Sequence, residues 1–409
     1  MISSVRLIVE RRSLDPVVQR LASRDPSVGE DARAAVEWLT RGDEEGAPAV
    51  FTRRGLQGFL WYELPRKWLI GAEGQLAVTD ALAQLFDELG PEAAALAALC
   101  RDPETTRLLR AGGEGFVEAI NASGLEPPDT ALLEWSDLMT IEESLERDAV
   151  AEMLEEAVDC GELVPGAKGW QQCQADLVDR HLSTPDAADC TPLARVHAAR
   201  HDAWLEMTAD HDHRTLLEAV TPLDGVAPTS AEAETAVEPL LWLLSRLTDG
   251  LKLTQTGALP RVLVREAVER YPDWWDTELF GPPHREAEVY ALEVLHAIVD
   301  QLKLARPRRG VLTLSPRGRA LHRDPSALLA TIASMIAAVG GSPQLDLALA
   351  YVVLGRDPVV EIPILHLLGP FRGVAGKRFR EPARVTAGGQ TLAAAILHAR
   401  ACGPRHSFG

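Results

Sequence analysis

The fold is decided by residues 239–325, which begin PLLWLLSRLTDGLKLTQTGALPRVLVREAVERYP (239–272) and end HREAEVYALEVLHAIVDQLKLARPRRGVLTLSPRGRALHRDP (284–325). A leucine-rich helix ends at Asp249-Gly250, and the following LKLT alternates as a strand does. Two amphipathic helices come next, and the second has apolar residues in steps of three or four from Val289 to Leu302. A basic turn and the β-prone VLTL follow, so the predicted order is helix, short strand, helix, helix and β-hairpin.

This order of elements is that of a winged-helix module, and two motifs carry a closer resemblance. LTLSPRGRALHRDP (312–325) resembles the wing and following helix of bacterial winged-helix regulators, in which a strand ends in Leu-Thr and Gly-Arg follows. Together with LTQTGALPRVLVREAVERY (253–271), it also resembles uncharacterised actinobacterial proteins that are rich in Arg and poor in Lys. The chain shares that bias, since five of its 41 basic residues are lysines. The resemblance covers about a fifth of the chain.

The resemblance implies a groove-reading helix at Arg285 to Leu302, followed by a wing whose phosphate-contacting residues are Arg306, Arg308, Arg309, Arg317 and Arg319. The predicted helix departs from the family pattern because its polar side holds four acids, Glu286, Glu288, Glu293 and Asp300. A duplex carries a charge about every 1.7 Å along its axis and would repel these carboxylates. We therefore expect no base readout by this helix, and we expect any DNA contact to involve the backbone.

Composition predicts a mainly α protein with more than one domain. A chain of 409 residues is long enough for two or three cores, and its abundant Ala and Leu favour helix. We predict an acidic helical domain at residues 1–225, a linker at 226–238, a winged-helix-like domain with a short β-hairpin at 239–325 and a helical domain at 326–409. RVTAGGQTLAAAIL (384–397) resembles VLTLSPRGRAL (311–321). The alternative that the last domain is a second, degenerate winged-helix-like unit therefore stays open.

Charge is divided unevenly along the chain. The net charge is −19, yet residues 303–409 hold 15 basic and five acidic groups, a net of +10. The basic candidates for contact with nucleic acid or an acidic partner are Lys303, Arg306, Arg308, Arg309, Arg317, Arg319 and Arg323, joined by Arg378 and Arg380 in a Gly-rich loop. Two alternatives stay open, a solvated surface and internal pairing with the acidic amino-terminal part.

Few residues suggest catalysis. Asp210-His211-Asp212-His213 is the densest group of metal-ligand types, and His201 could join His211 and His213. Adjacent residues of one loop cannot all face one ion, so we predict no metal site. The chain has no GxSxG motif, no phosphate-binding lysine loop and no GxGxxG after a strand. We predict no cofactor and no catalytic residues.

Location and partners follow from the apolar segments and the cysteines. The amino terminus lacks a signal-peptide run, and no apolar segment approaches the roughly 18 residues that span a bilayer. The five cysteines are an odd number without CxxC spacing, and we interpret them as buried or inert thiols in a reducing cytoplasm. We therefore expect a cytoplasmic protein without a membrane partner.

The leading hypothesis is a non-enzymatic regulatory or adaptor protein that binds a macromolecule through its basic carboxyl-terminal third, with the nucleic-acid backbone as first candidate. One alternative is a protein-interaction scaffold whose winged-helix-like units serve oligomerisation, with a homodimer contact through the apolar helix at residues 326–339. Another is an enzyme of unrecognised type with a His/Asp site.

Overall fold

The computed structural model describes residues 7–41, 47–130, 132–223, 227–338, 342–356, 366–375 and 384–405. The chain divides into two compact units, residues 1–196 with 405–409, and residues 197–404. The protein is mainly helical with small sheets, which confirms the predicted α class. No helix within the described ranges is both long enough and apolar enough to cross a membrane.

The first unit begins with a small antiparallel sheet in which β1 (Leu7–Val9) pairs with β2 (Ala49–Phe51). Its core is aliphatic and aromatic, with Leu82, Leu85 and Phe86 fully buried. The helices around this core are α1 (Arg11–Arg24), α2 (Pro26–Leu39), α3 (Arg53–Gly58), α4 (Leu64–Lys67), α5 (Ala72–Leu89), α6 (Ala94–Cys100), α7 (Pro103–Arg110) and α8 (Phe116–Ala122).

A smaller cluster completes the first unit. Helices α9 (Ile141–Asp159) and α10 (Trp170–Ser183) pack together around Leu154, Leu177 and Val178. Helix α11 (Pro192–Leu205) begins in the first unit and ends in the second.

The second unit has one large core shared by most of its helices. Its helices are α12 (Asp210–Val220), α13 (Ser230–Arg246), α14 (Arg261–Arg270), α15 (Thr277–Phe280), α16 (Tyr290–Gln301), α17 (Pro316–Arg323), α18 (Pro325–Ala338), α19 (Pro343–Val353) and α20 (Ala387–Cys402). Its strands are β3 (Leu251–Lys252), β4 (Ala305–Arg308), β5 (Val311–Leu314), β6 (Val374–Ala375) and β7 (Arg384–Val385).

Helix α13 lies at the centre of this unit and packs against α18 and α20. It begins with a capping box, in which the Thr229 hydroxyl accepts from the Glu232 N–H while the Glu232 carboxylate accepts from the Thr229 N–H. Residues 230–238, which were predicted as linker, are therefore the first half of this helix. The predicted domain boundaries themselves stay predictions.

Three strands of the second unit form one antiparallel sheet in the order β3-β5-β4. Leu251 lies opposite Leu312, and Lys252 lies opposite Val311. On the other side of β5, Arg306 lies opposite Thr313 and Arg308 opposite Val311. Strands β6 and β7 form a separate antiparallel pair. The three-stranded sheet positions the basic residues described next.

Candidate functional site

Strands β4 and β5 form a hairpin whose two-residue turn is Arg309-Gly310. Both turn residues have positive φ, 53° for Arg309 and 77° for Gly310. Positive φ at both central positions defines the type I′ turn, whose twist matches that of the flanking strands. Glycine adopts this conformation freely, whereas Arg309 holds it against a steric cost. The tip of the hairpin therefore presents an arginine in a constrained backbone position.

The two faces of the sheet differ in chemistry because side chains alternate along each strand. Leu312 and Leu314 are buried on the inner face, together with Ala305. Arg306 and Arg308 are exposed on the outer face, beside Thr313 and Val311. The register therefore separates an apolar core face from a basic solvent face.

Lys252 extends the basic face, although sequence reasoning did not include it. It is exposed and lies across β5 from Arg308, with Val311 between them. At a strand spacing of about 4.8 Å, the two basic residues are about 10 Å apart at the backbone. The three cations Lys252, Arg306 and Arg308 thus share one face of the sheet. Lys252 lies on this face only because β3 pairs with β5.

Helix α17 continues the basic surface beyond the hairpin. Ser315 caps the helix by accepting from the Gly318 N–H at 3.0 Å, and its own hydroxyl donates to the Lys303 carbonyl at 2.8 Å. Gly318 lies so close to the hairpin that a Cβ there would be 1.9 Å from the Leu304 oxygen. Only glycine allows this approach, which fixes the helix directly against the start of β4.

All seven predicted basic residues between positions 303 and 323 are exposed. We name this set the basic wing surface, and we add Lys252 to it. None of the eight forms an ion pair with a described residue of the second unit. Arg319 donates a hydrogen bond to the Leu314 carbonyl at 2.7 Å, and this acceptor carries no formal charge. The members are Lys252, Lys303, Arg306, Arg308, Arg309, Arg317, Arg319 and Arg323.

Several arginines outside this surface form ion pairs. In the first unit Arg24 pairs with Glu88, Arg54 with Glu126 and Arg195 with Glu146. In the core of the second unit Arg400 pairs with the buried Asp346, whose second oxygen also accepts from the Trp204 ring N–H at 3.1 Å. The basic wing surface differs from these pairs because eight cations lie close together without a carboxylate partner among the described residues of the second unit.

Two further predicted residues, Arg378 and Arg380, lie outside the described residues. The neighbouring Arg372 is engaged, since its guanidinium lies 3.8 Å from Asp273 and stacks over the Tyr271 ring at 5.5 Å. The contribution of the Gly-rich loop to binding stays a prediction.

Helix α16 corresponds to the predicted groove-reading helix at Arg285 to Leu302, but it is shorter and less acidic than predicted. Helix α16 begins at Tyr290, and Glu286 and Glu288 belong to a separate 3-10 turn, Glu286–Glu288. Two carboxylates remain exposed on the helix itself, Glu293 and Asp300. These two still oppose base readout by electrostatic repulsion.

Glu286 has a structural role. It is buried, and its carboxylate accepts from the Leu259 N–H at 2.6 Å and pairs with His296 Nδ1 at 2.7 Å. The hydrogen bond from Glu286 raises the pKa of His296 above its ordinary value, although burial of the imidazole opposes this. Asp300 lies 4.0 Å from the other ring nitrogen and acts in the same direction. This pair fixes α16 to the turn before α14.

The histidines considered as candidate metal ligands do not assemble among the described side chains. His201 lies beside the Trp204 ring at 5.8 Å, whereas His213 Nε2 is 3.3 Å from the Thr208 carbonyl. The His211 side chain lies outside the described residues. Within the parts of the chain that the structure covers, no group of three or more His, Cys, Asp or Glu side chains is arranged to hold a metal ion.

Comparison with known proteins gives one match. Residues 238–327 match the family described as Y4jL N-terminal domain. The matched range extends from the second half of α13 through α17 and contains every member of the basic wing surface. No curated protein and no solved structure matches the chain.

Proposed function

We propose that the second unit contains a winged-helix-like module that binds nucleic acid along the phosphate backbone through the basic wing surface. The observation that carries the proposal is the exposure of eight cations on one hairpin, sheet face and helix without a carboxylate partner among the described residues of that unit. A cluster of unpaired cations is costly through self-repulsion, and an anionic partner relieves that repulsion.

The arrangement of elements supports the winged-helix part of the proposal. Helix α13, strand β3, helices α14 and α16, and the β4–β5 hairpin follow in the order of such a module. The central position of β5 between β3 and β4 gives the hairpin the place of a wing beside the core. Helix α15 and the turns around it are an addition between the second and third helices.

The charge of α16 supports backbone contact in preference to base readout. Glu293 and Asp300 face solvent on the helix that would enter a groove. Phosphate contacts position a protein on a duplex without reading its sequence. We therefore propose sequence-independent binding, and we retain the non-enzymatic role and the cytoplasmic location as parts of this proposal.

The experiment is a salt-dependent titration of the full-length protein with a duplex of arbitrary sequence. Arg306→Glu with Arg308→Glu should weaken binding at least tenfold and lower the salt slope by about 2, since each lost phosphate contact removes about 0.9. The matched control is Arg12→Glu with Arg33→Glu, which changes the net charge equally at two exposed arginines of the first unit. Equal weakening in both double variants would point to overall charge and contradict a role for the wing.

The scaffold hypothesis predicts a different outcome. Leu328, Leu329 and Ile332 of α18 are buried in the core of their own unit. A dimer contact through residues 326–339 would therefore use small side chains and the partly buried Met335 and Ile336. If the wing variants change the mass in solution but not the salt-dependent binding, oligomerisation is the better account.

A further inference from the structure

A cavity of about 1110 Å³ lies in the first unit between its two hydrophobic clusters. One wall comes from α3, the segment after it and α8, and its apolar residues are Phe59, Tyr62, Phe116, Val117 and Ile120. The opposite wall is the segment before α9, whose apolar residues are Pro127, Pro128, Trp135 and Met139. The first wall includes a π-helical turn, Phe59–Glu63, and such turns are frequent at functional sites. We name this cavity the apolar groove.

The first wall of the apolar groove leaves apolar surface open to water. Val117 is 61% exposed and Tyr62 37% exposed, although such exposure is unfavourable. The Tyr62 ring is held by its neighbours, since its centroid lies 5.1 Å from that of Phe116 and 5.0 Å from the Arg66 guanidinium. Ile120 is buried beneath this surface. A fixed apolar wall that faces a cavity is the arrangement of a binding site.

The charged side chains that line the apolar groove are already engaged with one another or with the backbone. The contacts are those of Glu126 with Arg54 and Arg147, of Glu63 with Lys67, and of Asp129 with the Trp135 N–H. Asp137 also has an interaction partner. A charged occupant would lose its hydration without gaining an unpaired counter-charge. The groove therefore favours an uncharged apolar occupant.

The carboxyl-terminal segment of the chain is anchored at the edge of this groove. The N–H groups of Asp137 and Leu138 both donate to the Arg405 carbonyl oxygen, at 2.9 Å and 3.1 Å. The Arg405 N–H in turn donates to Ser136 Oγ at 3.0 Å. Ser136 is buried, and it lines the groove together with Asp137. Arg405 and the residues after it belong to the first unit.

The residues that follow this anchor have the size and chemistry of the missing occupant. They are His-Ser-Phe-Gly, residues 406–409, and they lie outside the described residues. Phe408 is the large apolar side chain among them. Three residues of extended chain span roughly 10 Å. A cube of 1110 Å³ has an edge of about 10 Å, so Phe408 can reach the groove from Arg405.

Another apolar surface near the anchor is less suited to an aromatic ring. Leu138, Ile141 and Leu145 are exposed at helical spacing at the start of α9. A stripe on a single helix covers one side of a ring, whereas the groove has apolar residues on two opposite walls. Contact on both sides removes more of the ring from water, which favours the groove.

We propose that residues 406–409 of the same chain occupy the apolar groove, with the Phe408 ring between Val117 on one wall and Met139 on the other. The carboxyl-terminal segment is thus an intramolecular ligand of the first unit. This interaction involves no member of the basic wing surface and is independent of the proposed binding of nucleic acid.

Photochemical cross-linking of the full-length protein tests this proposal. The photoreactive residue p-benzoylphenylalanine replaces Phe408, and in the control it replaces Ile8, an exposed residue of β1 outside the groove. We expect cross-links within one molecule from position 408 to Val117 or Met139. Their yield should exceed that of groove cross-links from position 8 by about tenfold or more, because burial of the ring favours the docked state by at least this factor.

Three outcomes would overturn the proposal. The first is cross-linking from position 408 mainly to Leu138, Ile141 or Leu145. The second is cross-linking mainly between two molecules, which would indicate an occupant from a second copy. The third is a yield of groove cross-links no higher than that of the control.

Paired variants locate the contact. Val117→Asp places a charge on the open wall of the groove, so it should lower the yield of groove cross-links from position 408 about fivefold or more. The matched control is Val164→Asp, since Val164 is 55% exposed in the same unit but lies outside the groove. This control should leave the yield unchanged. An equal loss in both variants, or no loss in Val117→Asp, would also contradict the proposal.

Discussion

Replacement of Arg309 in the Arg309-Gly310 turn should raise the stability of the protein and weaken its binding to a duplex. Arg309 has a φ of 53°, where a residue with a Cβ pays roughly 1 kcal/mol, while asparagine tolerates this region better. Arg309→Asn should therefore stabilise the protein by about 0.5 kcal/mol. The same change removes one exposed cation from the wing, so the slope of duplex affinity against salt should fall by about 0.9.

The matched variant is Arg306→Asn, which removes the same charge from the interior of strand β4. Asparagine is unfavourable in a strand, so this variant should lose about 0.5 kcal/mol of stability while its salt slope also falls by about 0.9. Urea denaturation measures the first quantity, and a duplex titration at several salt concentrations measures the second. Lower stability in Arg309→Asn would refute the assignment of the turn, and an unchanged salt slope in both variants would refute the binding role of the hairpin.

Three other predictions test the packing and titration described above. Gly318→Ala should cost about 1–3 kcal/mol because its Cβ would lie 1.9 Å from the Leu304 oxygen. Gly58→Ala has helical dihedral angles and open space around it, so it should stabilise the protein by about 0.5–1 kcal/mol; thermal unfolding compares the two variants. Thr229→Ala should destabilise the second unit by about 1 kcal/mol through loss of the capping box, and restoration by Thr229→Ser would separate capping from packing in urea denaturation. Because the folded pKa of His296 is raised, its stabilising contribution is complete below pH 6.5 and disappears as pH rises through the folded pKa; Glu286→Gln should flatten this part of the curve of unfolding free energy against pH, and an unchanged curve would contradict the pairing.

Much of the second unit was predictable because its elements carry local signals. Capping residues, leucine spacing and the VLTL strand predicted helices and a hairpin in the right order, and the exposure of the seven cations followed from their polar context. The pattern Thr229-Ser-Ala-Glu232 is itself a helix-start signal, so the beginning of α13 within the predicted linker could also have been found.

Other features depend on contacts between distant residues and leave no local signal. Lys252 joins the basic face only through the pairing of β3 with β5. Glu286 is withdrawn from the surface by His296 and the Leu259 N–H, ten and 27 residues away. The cavity between α14 and α16 likewise collects Val268 and Tyr290 from two helices around one connecting segment. Periodicity places each of these residues on a face, but it does not determine what that face meets.

The pairing of Lys252 with Val311 has a consequence for when this surface comes into existence. The two residues are 59 positions apart, so the row of cations formed by Lys252, Arg306 and Arg308 exists only when β3 pairs with β5 in the folded protein. A synthetic peptide of residues 303–323 would contain all the arginines of the wing yet lack the row. The fixed spacing of these cations is therefore a property of the folded protein and not of the arginine-rich segment alone.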